Sequence, residues 1–444
     1  VLPDGTDGSS EMTWLLLDVI EEMHLLQPST NLQLASVTPD AVLARALQVI
    51  RRGYGFPSLF NADMVVAEQL RVGKSIEDAR AGGCSGCVET SAFGKESCVL
   101  TGYFNLPTVL ELVLHDGVDP RTGERLLTAG GVDPGAGEDV ESLYGAFELG
   151  LAEVLEVKLA GNAIIERMYA ESMPAPFLSL LVDDCVRNAR DYNAGGARYH
   201  NRYVQMVGIG TITDSLSAIR QLVHEEGRIG LVDLVRSLDR DFEGAESLRQ
   251  RLVNRVPRWG NDDDRADDLM ARVFESAVRL VDGRPSETDG RYRVQMLPTT
   301  CHVYFGSVTG ATPDGRRAGR PLSEGISAVQ GTDRLGPTAM LRSAAKMDHR
   351  MTGGTLLNMK LTPALLEGDE GIEDISQLVR GYFRLGGHHI QFNVVEAETL
   401  RAARAEPEQW RDLIVRVAGY SDYFCDLSPA LQEEIIERTE HRAV

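Results

Sequence analysis

Apolar and polar positions along the chain change repeatedly between two periods, and this predicts alternating helices and strands. Glu11 to Leu26 has the spacing of an amphipathic helix, and Leu32 to Val37 alternates as a strand does. Thr38 is expected to cap a following helix that has Pro39 in its first turn and ends near Gly53. This order favours an α/β fold with largely parallel strands.

The same signals recur later in the chain. Further strands are predicted at Pro57 to Phe60, Leu356 to Leu361 and Ile390 to Val395. Ser75 begins a capping signal for a short helix, and the region from Val140 to Leu280 has a mostly helical pattern. No internal repeat or obvious interdomain linker interrupts these elements.

Composition and charge limit the possible partners. The chain has 444 residues, 43% of them hydrophobic, which is enough for a large buried core. Its apolar runs are shorter than a membrane span and the first residues lack an export signal, so a cytoplasmic location is the default expectation. The formal net charge of −21 repels phosphate backbones and anionic lipid. Nucleic acid and membrane surfaces are therefore not expected partners.

The cysteines have no spacing typical of a disulfide framework, and we expect free thiols. The six are Cys84, Cys87, Cys98, Cys185, Cys301 and Cys425. Cys84 and Cys87 form a C-x-x-C pair, but no second pair or suitably spaced histidines follow to complete a metal site. The pair follows a glycine-rich stretch and does not open a helix after a strand, which disfavours a redox motif.

Gly419, in the segment Arg416 to Phe424, has two interpretations. A glycine Cα radical is planar and delocalised over the flanking amide groups, and only a residue without Cβ adopts that geometry without crowding. Alternatively, Gly419 permits a turn with positive φ after an apolar strand from Leu413 to Val417. For a glycine considered by itself, the turn is the more common explanation.

The segment Gly86 to Glu89 carries the second candidate chemistry. Residues two apart on an extended segment point the same way, so we expect Cys87 and Glu89 to present a sulfur and a carboxylate to one small volume. A thiyl radical removes a hydrogen atom from an unactivated carbon, while a neighbouring carboxyl moves a proton. The alternatives are that Cys87 is a small buried apolar residue and that Glu89 is a carboxylate at a helix start.

Taken together, the two segments resemble those of the glycyl radical enzymes. That family carries a G-C-x-E cysteine loop far upstream of an R-V-x-G-Y-x-x-x-F radical loop. Here the loops are Gly86 to Glu89 and Arg416 to Phe424, more than 300 residues apart. The resemblance continues through Ala311 to Arg316, Gly331 to Arg334 and Gly387 to Asn393, and so covers essentially the whole chain.

The resemblance implies a ten-stranded α/β barrel of two five-stranded halves, surrounded by helices, with the cysteine and glycine loops inside. This chain is expected to supply the second half. Residues 1–310 would be the C-terminal part of the barrel domain and residues 311–444 the glycine radical domain. An N-terminal half is expected to be missing, so that the fragment alone is inactive, and the full-length protein is expected to be a homodimer.

The activity implied by the resemblance is radical elimination of water from a small polar substrate. A radical S-adenosylmethionine activating enzyme would form the radical at Gly419, which takes the hydrogen of Cys87, while Glu89 transfers a proton. No bound metal or organic cofactor is expected. Dehydration of trans-4-hydroxy-L-proline to pyrroline-5-carboxylate is favoured. The alternatives are a propanediol or glycerol dehydratase, a sulfonate lyase, a choline trimethylamine-lyase and an inactive fragment. Pyruvate formate-lyase itself is disfavoured because Val88, not a second cysteine, follows Cys87.

Tyr103 and Thr299 match positions that line the substrate pocket of a family member. Alternatively, Tyr103 is a core aromatic with a satisfied hydroxyl, and Thr299 is a β-branched residue of a strand.

Two other groups of ligand-type residues favour structural interpretations. The acidic run Asp262 to Asp264, with Asp267 and Asp268, lacks the spacing and the glycine of an EF-hand, and carboxylates are common where a helix starts. His388 and His389 are adjacent on a predicted strand and should point to opposite faces, which does not suit a metal site.

Overall fold

The computed structural model describes residues 1–24, 26–129, 131 and 139–443, in which helices and strands alternate as the sequence predicts. The strands are β1 Asn31–Leu34, β2 Ser58–Asn61, β3 Gly83–Cys84, β4 Thr90–Ser91, β5 Glu96–Asn105, β6 Tyr199–Val207, β7 Arg291–Gln295, β8 Asn358–Leu361, β9 His389–Val394, β10 Ile414–Arg416, β11 Ser421–Tyr423 and β12 Glu440–His441. The helices are α1 Glu11–Met23, α2 Asp40–Ile50, α3 Ala62–Arg71, α4 Ile76–Ala81, α5 Leu106–Leu114, α6 Val140–Ser172, α7 Pro176–Leu181, α8 Ile209–Ala218, α9 Leu231–Asp239, α10 Glu246–Asn254, α11 Asp264–Val281, α12 Cys301–Val308, α13 Pro337–Ala344, α14 Gly368–Arg384, α15 Ala397–Ala405 and α16 Pro429–Glu437.

Five neighbouring strands run parallel, and a sixth, β12, pairs parallel with β8. β5, β6 and β7 pair in that order, and β8 pairs with β9. A parallel bridge between Met296 and Thr355 connects the end of β7 to the segment before β8. β9 then pairs antiparallel with β2, which is parallel to β1. The predicted α/β fold is confirmed. The parallel strands fit the second half of the expected barrel, and β1 and β2 run antiparallel to them.

Local signals located most elements to within a few residues, with one incorrect cap. Helix α1 ends at Met23, and Leu25 lies outside the described residues. The hydroxyl of Thr38 accepts the backbone N–H of Ala35 at 3.1 Å, so it closes a turn after β1 and does not cap α2. Ser75 does cap α4, because its hydroxyl accepts the N–H of Asp78 at 3.1 Å.

The prediction of a mostly helical region from Val140 to Leu280 is wrong for β6. This strand lies between β5 and β7, and its residues from Asn201 to Val207 are all buried. A strand covered on both faces does not alternate between polar and apolar residues. In β6 the buried residues include the polar Arg202 and Gln205, so the strand pattern is lost from the sequence.

Two groups of buried apolar side chains form the core. The larger packs the helices against the parallel strands. The smaller contains Val88, Val417, Ala418 and Phe424, which flank the two candidate loops, so both loops are anchored in one apolar cluster. Within the described residues, no helix is long and apolar enough to cross a bilayer.

Candidate active site

Cys87 lies in the loop of a short β-hairpin. Strands β3 and β4 pair antiparallel, with Cys84 opposite Thr90, and residues 85–89 form the loop. The loop is closed by the N–H of Ser85, which donates to the carbonyl of Glu89 at 2.9 Å. The hairpin is attached to the barrel where the N–H of Thr90 donates to the carbonyl of Gly353 at 3.0 Å. We call residues 83–91 the cysteine hairpin.

Gly419 lies in the loop of a second hairpin, formed by β10 and β11, which we call the glycine hairpin (residues 414–423). Arg416 pairs with Ser421, and the N–H of Val417 donates to the carbonyl of Tyr420 at 2.8 Å. The side-chain amide of Asn358 donates to the carbonyl of Val417 at 3.0 Å and connects the loop to β8. This hairpin is therefore held by the strands of the barrel.

The two loops touch at Cys87 and Gly419. A Cβ placed on Gly419 would lie 2.8 Å from both the Cβ and the Sγ of Cys87, closer than real Cβ contacts come. Gly419 also has φ of +85°, the left-handed conformation that the turn interpretation requires. The turn is therefore present, but a turn does not require contact with a thiol. The contact places the candidate radical residue directly against the candidate hydrogen donor.

Glu89 is buried at the base of the same loop, which is not a helix start. Its carboxylate accepts the hydroxyl of Ser85 and the backbone N–H of Val88, the latter at 3.3 Å. The expectation of an extended segment with Cys87 and Glu89 on one side is replaced by a hairpin loop. Ser85 was missed as a partner of Glu89, although its position two residues before Cys87 was the available signal.

The thiol of Cys87 lies in an environment that keeps it protonated. Burial raises the pKa of Cys87 to about 12, the negative charge of Glu89 adds to this effect, and the positive charge of Arg416 opposes it. A thiol that keeps its hydrogen suits hydrogen-atom transfer better than thiolate nucleophilic chemistry.

Arg416, in β10, connects the glycine hairpin to the barrel strands β2 and β9. Its guanidinium is fully buried, lies 4.9 Å from the ring centre of Phe56, and donates to Gln391 at 2.7 Å and to Ser58 at 2.6 Å. Among the described residues, no carboxylate lies within ion-pair distance of it, and burial lowers its pKa to about 10. The backbone of Arg416 exchanges two hydrogen bonds with Asn393, at 2.6 and 2.7 Å. Arg416, Gln391 and Asn393 lie in segments that the sequence marked as family motifs, but the sequence did not show that they support one hairpin.

The side chains of Tyr103 and Thr299 are hydrogen-bonded to each other. The two hydroxyl oxygens are 2.8 Å apart, and both side chains are half-buried. Burial raises the pKa of Tyr103, and the nearby Cys87 and Glu89 contribute in the same direction. Thr299 has φ of +50° in the turn between β7 and α12, so the alternative that placed it in a strand is wrong.

The acidic run near Asp262 forms ion pairs with a lysine. The ammonium of Lys346 lies among Asp262, Asp264 and Asp267, at 3.0, 2.6 and 2.7 Å. These carboxylates, at the start of α11, thus neutralise the lysine.

The two histidines take part in separate contacts. His388 is 2.7 Å from a carboxylate oxygen of Glu68, whereas His389 accepts the N–H of Leu357 at 3.3 Å. In the described part of the chain, no group of three or more His, Cys, Asp or Glu side chains is arranged to hold a metal ion.

Two family profiles match the chain. The profile described as pyruvate formate lyase-like covers residues 1–306, and the one described as glycine radical covers residues 322–425. The chain therefore belongs to the pyruvate formate lyase-like family of glycyl radical enzymes, as its two hairpins predict.

Particular relatives cover nearly the whole chain. It is 49% identical to trans-4-hydroxy-L-proline dehydratase of Clostridioides difficile over 438 residues, which is 99% of this chain and 55% of the relative. A crystal structure of hydroxyproline dehydratase from the same organism, with trans-4-hydroxy-L-proline bound, matches with a TM-score of 0.97 and 49% identity over 99% of this chain and 56% of that one. The glycerol-bound, B12-independent glycerol dehydratase from Clostridium butyricum matches with a TM-score of 0.94 and 34% identity over 100% of this chain and 56% of that one. The chain spans about half the length of the relatives it matches.

The high pKa of Cys87 predicts slow alkylation. Relative to an ordinary thiol with a pKa of 9.0, the thiolate fraction at pH 8 should be roughly 10³-fold lower. Glu89→Gln removes the nearby negative charge, so the pKa of Cys87 should fall and its reaction with iodoacetamide should become faster. Peptide mass spectrometry of the unactivated full-length protein measures both rates. Glu77→Gln, on the exposed surface of α4, is the control and should change nothing. Equal rates in Glu89→Gln and wild type would contradict the proximity of the two groups.

Proposed function

We propose that the full-length protein is a glycyl radical dehydratase whose radical is stored at Gly419 and used through Cys87. The observation that carries this proposal is the contact between Gly419 and the sulfur of Cys87. In the transfer, the Gly419 radical takes the hydrogen atom of the thiol, so the glycine becomes closed-shell and Cys87 becomes a thiyl radical. Direct contact lets the hydrogen move without an intermediate carrier.

The proposed substrate is trans-4-hydroxy-L-proline. The support is 49% identity to a dehydratase of that substrate, together with Tyr103 and Thr299, whose paired hydroxyls we assign to substrate binding. The Cys87 thiyl removes a hydrogen atom from the ring carbon next to nitrogen. The 4-hydroxyl then leaves with a proton as water, and the ring nitrogen loses one proton. Cys87 returns its hydrogen atom to C4, which gives pyrroline-5-carboxylate, and Gly419 then regains its radical.

Glu89 is assigned the proton transfer in this sequence. Its carboxylate is buried beside Cys87 and is oriented by Ser85 and by the backbone N–H of Val88. A carboxyl held in this way can pass a proton to the departing hydroxyl and recover one from the ring nitrogen without water entering.

The proposed activating partner follows from the same chemistry, whereas the oligomeric state and location are proposed from the family resemblance and the composition. A radical S-adenosylmethionine activating enzyme forms the Gly419 radical, and the full-length protein is a cytoplasmic homodimer. We also propose that residues 1–310 belong to the barrel domain and residues 311–444 to the glycine radical domain. No bound metal or organic cofactor is assigned to this chain.

The test is anaerobic activation of the full-length protein, followed by incubation with trans-4-hydroxyproline, propanediol, glycerol, choline and isethionate in separate reactions. We expect pyrroline-5-carboxylate from hydroxyproline and no product from the others, as measured by mass spectrometry. Turnover of another member of the panel would replace the substrate but keep the radical mechanism. An activated protein that carries the radical and converts none of them would contradict the proposed reaction.

A further inference from the structure

Strand β5 contains a bulge immediately before Tyr103. Leu100 pairs with Tyr203 of β6, but the next pair is Tyr103 with Gln205, so Thr101 and Gly102 together face Val204 alone. Gly102 has φ of +91°, which a side-chain-bearing residue rarely adopts. A bulge turns the side chains that follow it and is often found beside active sites. Here Tyr103 is the first residue after the bulge.

Lys158 of α6 holds this bulge in place. Its ammonium donates to the carbonyl of Thr101 at 2.8 Å and would lie 3.5 Å from a Cβ placed on Gly102. On the other side, the hydroxyl of Thr101 donates to the carbonyl of Tyr203 at 2.8 Å. The bulge is thus hydrogen-bonded both to α6 and to the neighbouring strand β6.

The ammonium of Lys158 bonds to a carbonyl and not to a carboxylate. Among the described residues, no carboxylate lies within 4.0 Å of it, and burial lowers its pKa. Holding a long, partly desolvated side chain against one carbonyl costs side-chain entropy and hydration. A shorter or apolar side chain would avoid those costs, so stability alone gives a weak reason for a lysine here.

What the bulge does provide is the position of one hydroxyl. Tyr103 reaches from β5 to Thr299 in the turn after β7, and their oxygens are 2.8 Å apart. Strands β5 and β7 are separated by β6, so this hydrogen bond spans the sheet. Its length leaves little room for a shift of the bulge, because hydrogen bonds weaken steeply beyond normal distance.

We propose that Lys158 is a positioning residue, which acts through the Thr101-Gly102 bulge to place the hydroxyl of Tyr103 against Thr299. Its effect on catalysis rests on the proposed function, but its effect on the side chain of Tyr103 does not. The two parts can therefore be tested by separate measurements on the full-length protein.

The structural test uses 3-fluorotyrosine incorporated only at position 103 and observed by ¹⁹F NMR without activation. Lys158→Met keeps the length of the side chain but removes the donor, and should move the resonance by more than its linewidth. Lys158→Arg retains a donor and should restore most of the wild-type position. Lys346→Met is the matched control, since it removes a partly exposed lysine whose ion pairs lie at α11, and it should leave the resonance unchanged. A wild-type resonance in Lys158→Met would overturn the proposal, whatever reaction the enzyme catalyses.

The kinetic test is a double-mutant cycle on the activated enzyme. Lys158→Met and Tyr103→Phe should each lower kcat by between about 10-fold and 100-fold, the range expected when a positioned group is displaced. If Lys158 acts through Tyr103, the double variant should be no slower than Tyr103→Phe alone. In the control cycle of Lys346→Met with Tyr103→Phe, the fold-changes in kcat should multiply. If the fold-changes in kcat also multiply in the Lys158 cycle, the coupling between Lys158 and Tyr103 is contradicted. Failure of the proposed function would instead appear as no dehydration by the wild type, with the NMR result still decisive.

Discussion

Replacing Gly419 with alanine in the full-length protein should abolish the organic radical and product formation together. The added methyl would lie 2.8 Å from the sulfur of Cys87 and would prevent a planar, uncrowded Cα radical. Because all subsequent chemistry starts from that radical, the loss should equal the whole acceleration, which for enzymes is at least about 10⁶-fold. Anaerobic activation followed by spin counting and product analysis measures both quantities.

Alanine at position 419 also introduces backbone strain, so the loss must be separated from misfolding. Gly73 provides the control, since its φ of +87° matches the +85° of Gly419, but a Cβ there would contact nothing within 4 Å. Gly73→Ala should have the same strain, about 1 kcal/mol, and keep full radical yield and turnover. A normal radical yield in Gly419→Ala would assign the radical to another residue.

Cys87→Ser should give the second large effect, but with a different signature. The glycyl radical should still form in normal yield, because the proposed activating enzyme would act on Gly419 and not on Cys87. Turnover should fall to background, since a serine O–H bond is too strong for a glycyl radical to break. The two variants together place the residues in order, with Gly419 before Cys87.

Two other cysteines complete this comparison. Cys185 lies in a separate small cluster of buried residues, so the Cys185→Ser variant should keep its activity. Cys84→Ser tests the C-x-x-C interpretation, and it should keep most turnover if Cys84 only packs at the base of the cysteine hairpin. Complete loss of turnover in Cys84→Ser with a stable fold would show that the pair acts as a unit. Measurable dehydration by Cys87→Ser would contradict the assignment of the thiyl radical.

The sequence singled out the candidate residues because radical transfer needs particular residue types in specific motifs. Gly419, Cys87 and Glu89 stood out for that reason, and the family resemblance predicted that their loops would meet. Their catalytic roles remain predictions. The contact of Glu89 with Ser85 was missed, because it is made across a hairpin loop of five residues and the spacing was interpreted as that of an extended segment.

The supporting structure was less visible in the sequence because it depends on buried polar contacts between distant elements. β6 was missed since its buried faces carry Arg202 and Gln205 among apolar residues. Arg416 was recognised as part of a motif, but its complete burial was not. Similarly, Tyr103 and Thr299 were each proposed as substrate contacts, while their mutual hydrogen bond joins residues 196 positions apart, which local patterns do not relate.

The most direct test of the central claim is the electron paramagnetic resonance spectrum of the activated full-length protein, produced once with ordinary glycine and once with glycine deuterated at Cα. A radical at Gly419 predicts a doublet from the single Cα hydrogen, which collapses to a singlet in the deuterated sample. A doublet unchanged by deuterated glycine, or no organic radical after activation with S-adenosylmethionine and its enzyme, would contradict storage of the radical at Gly419.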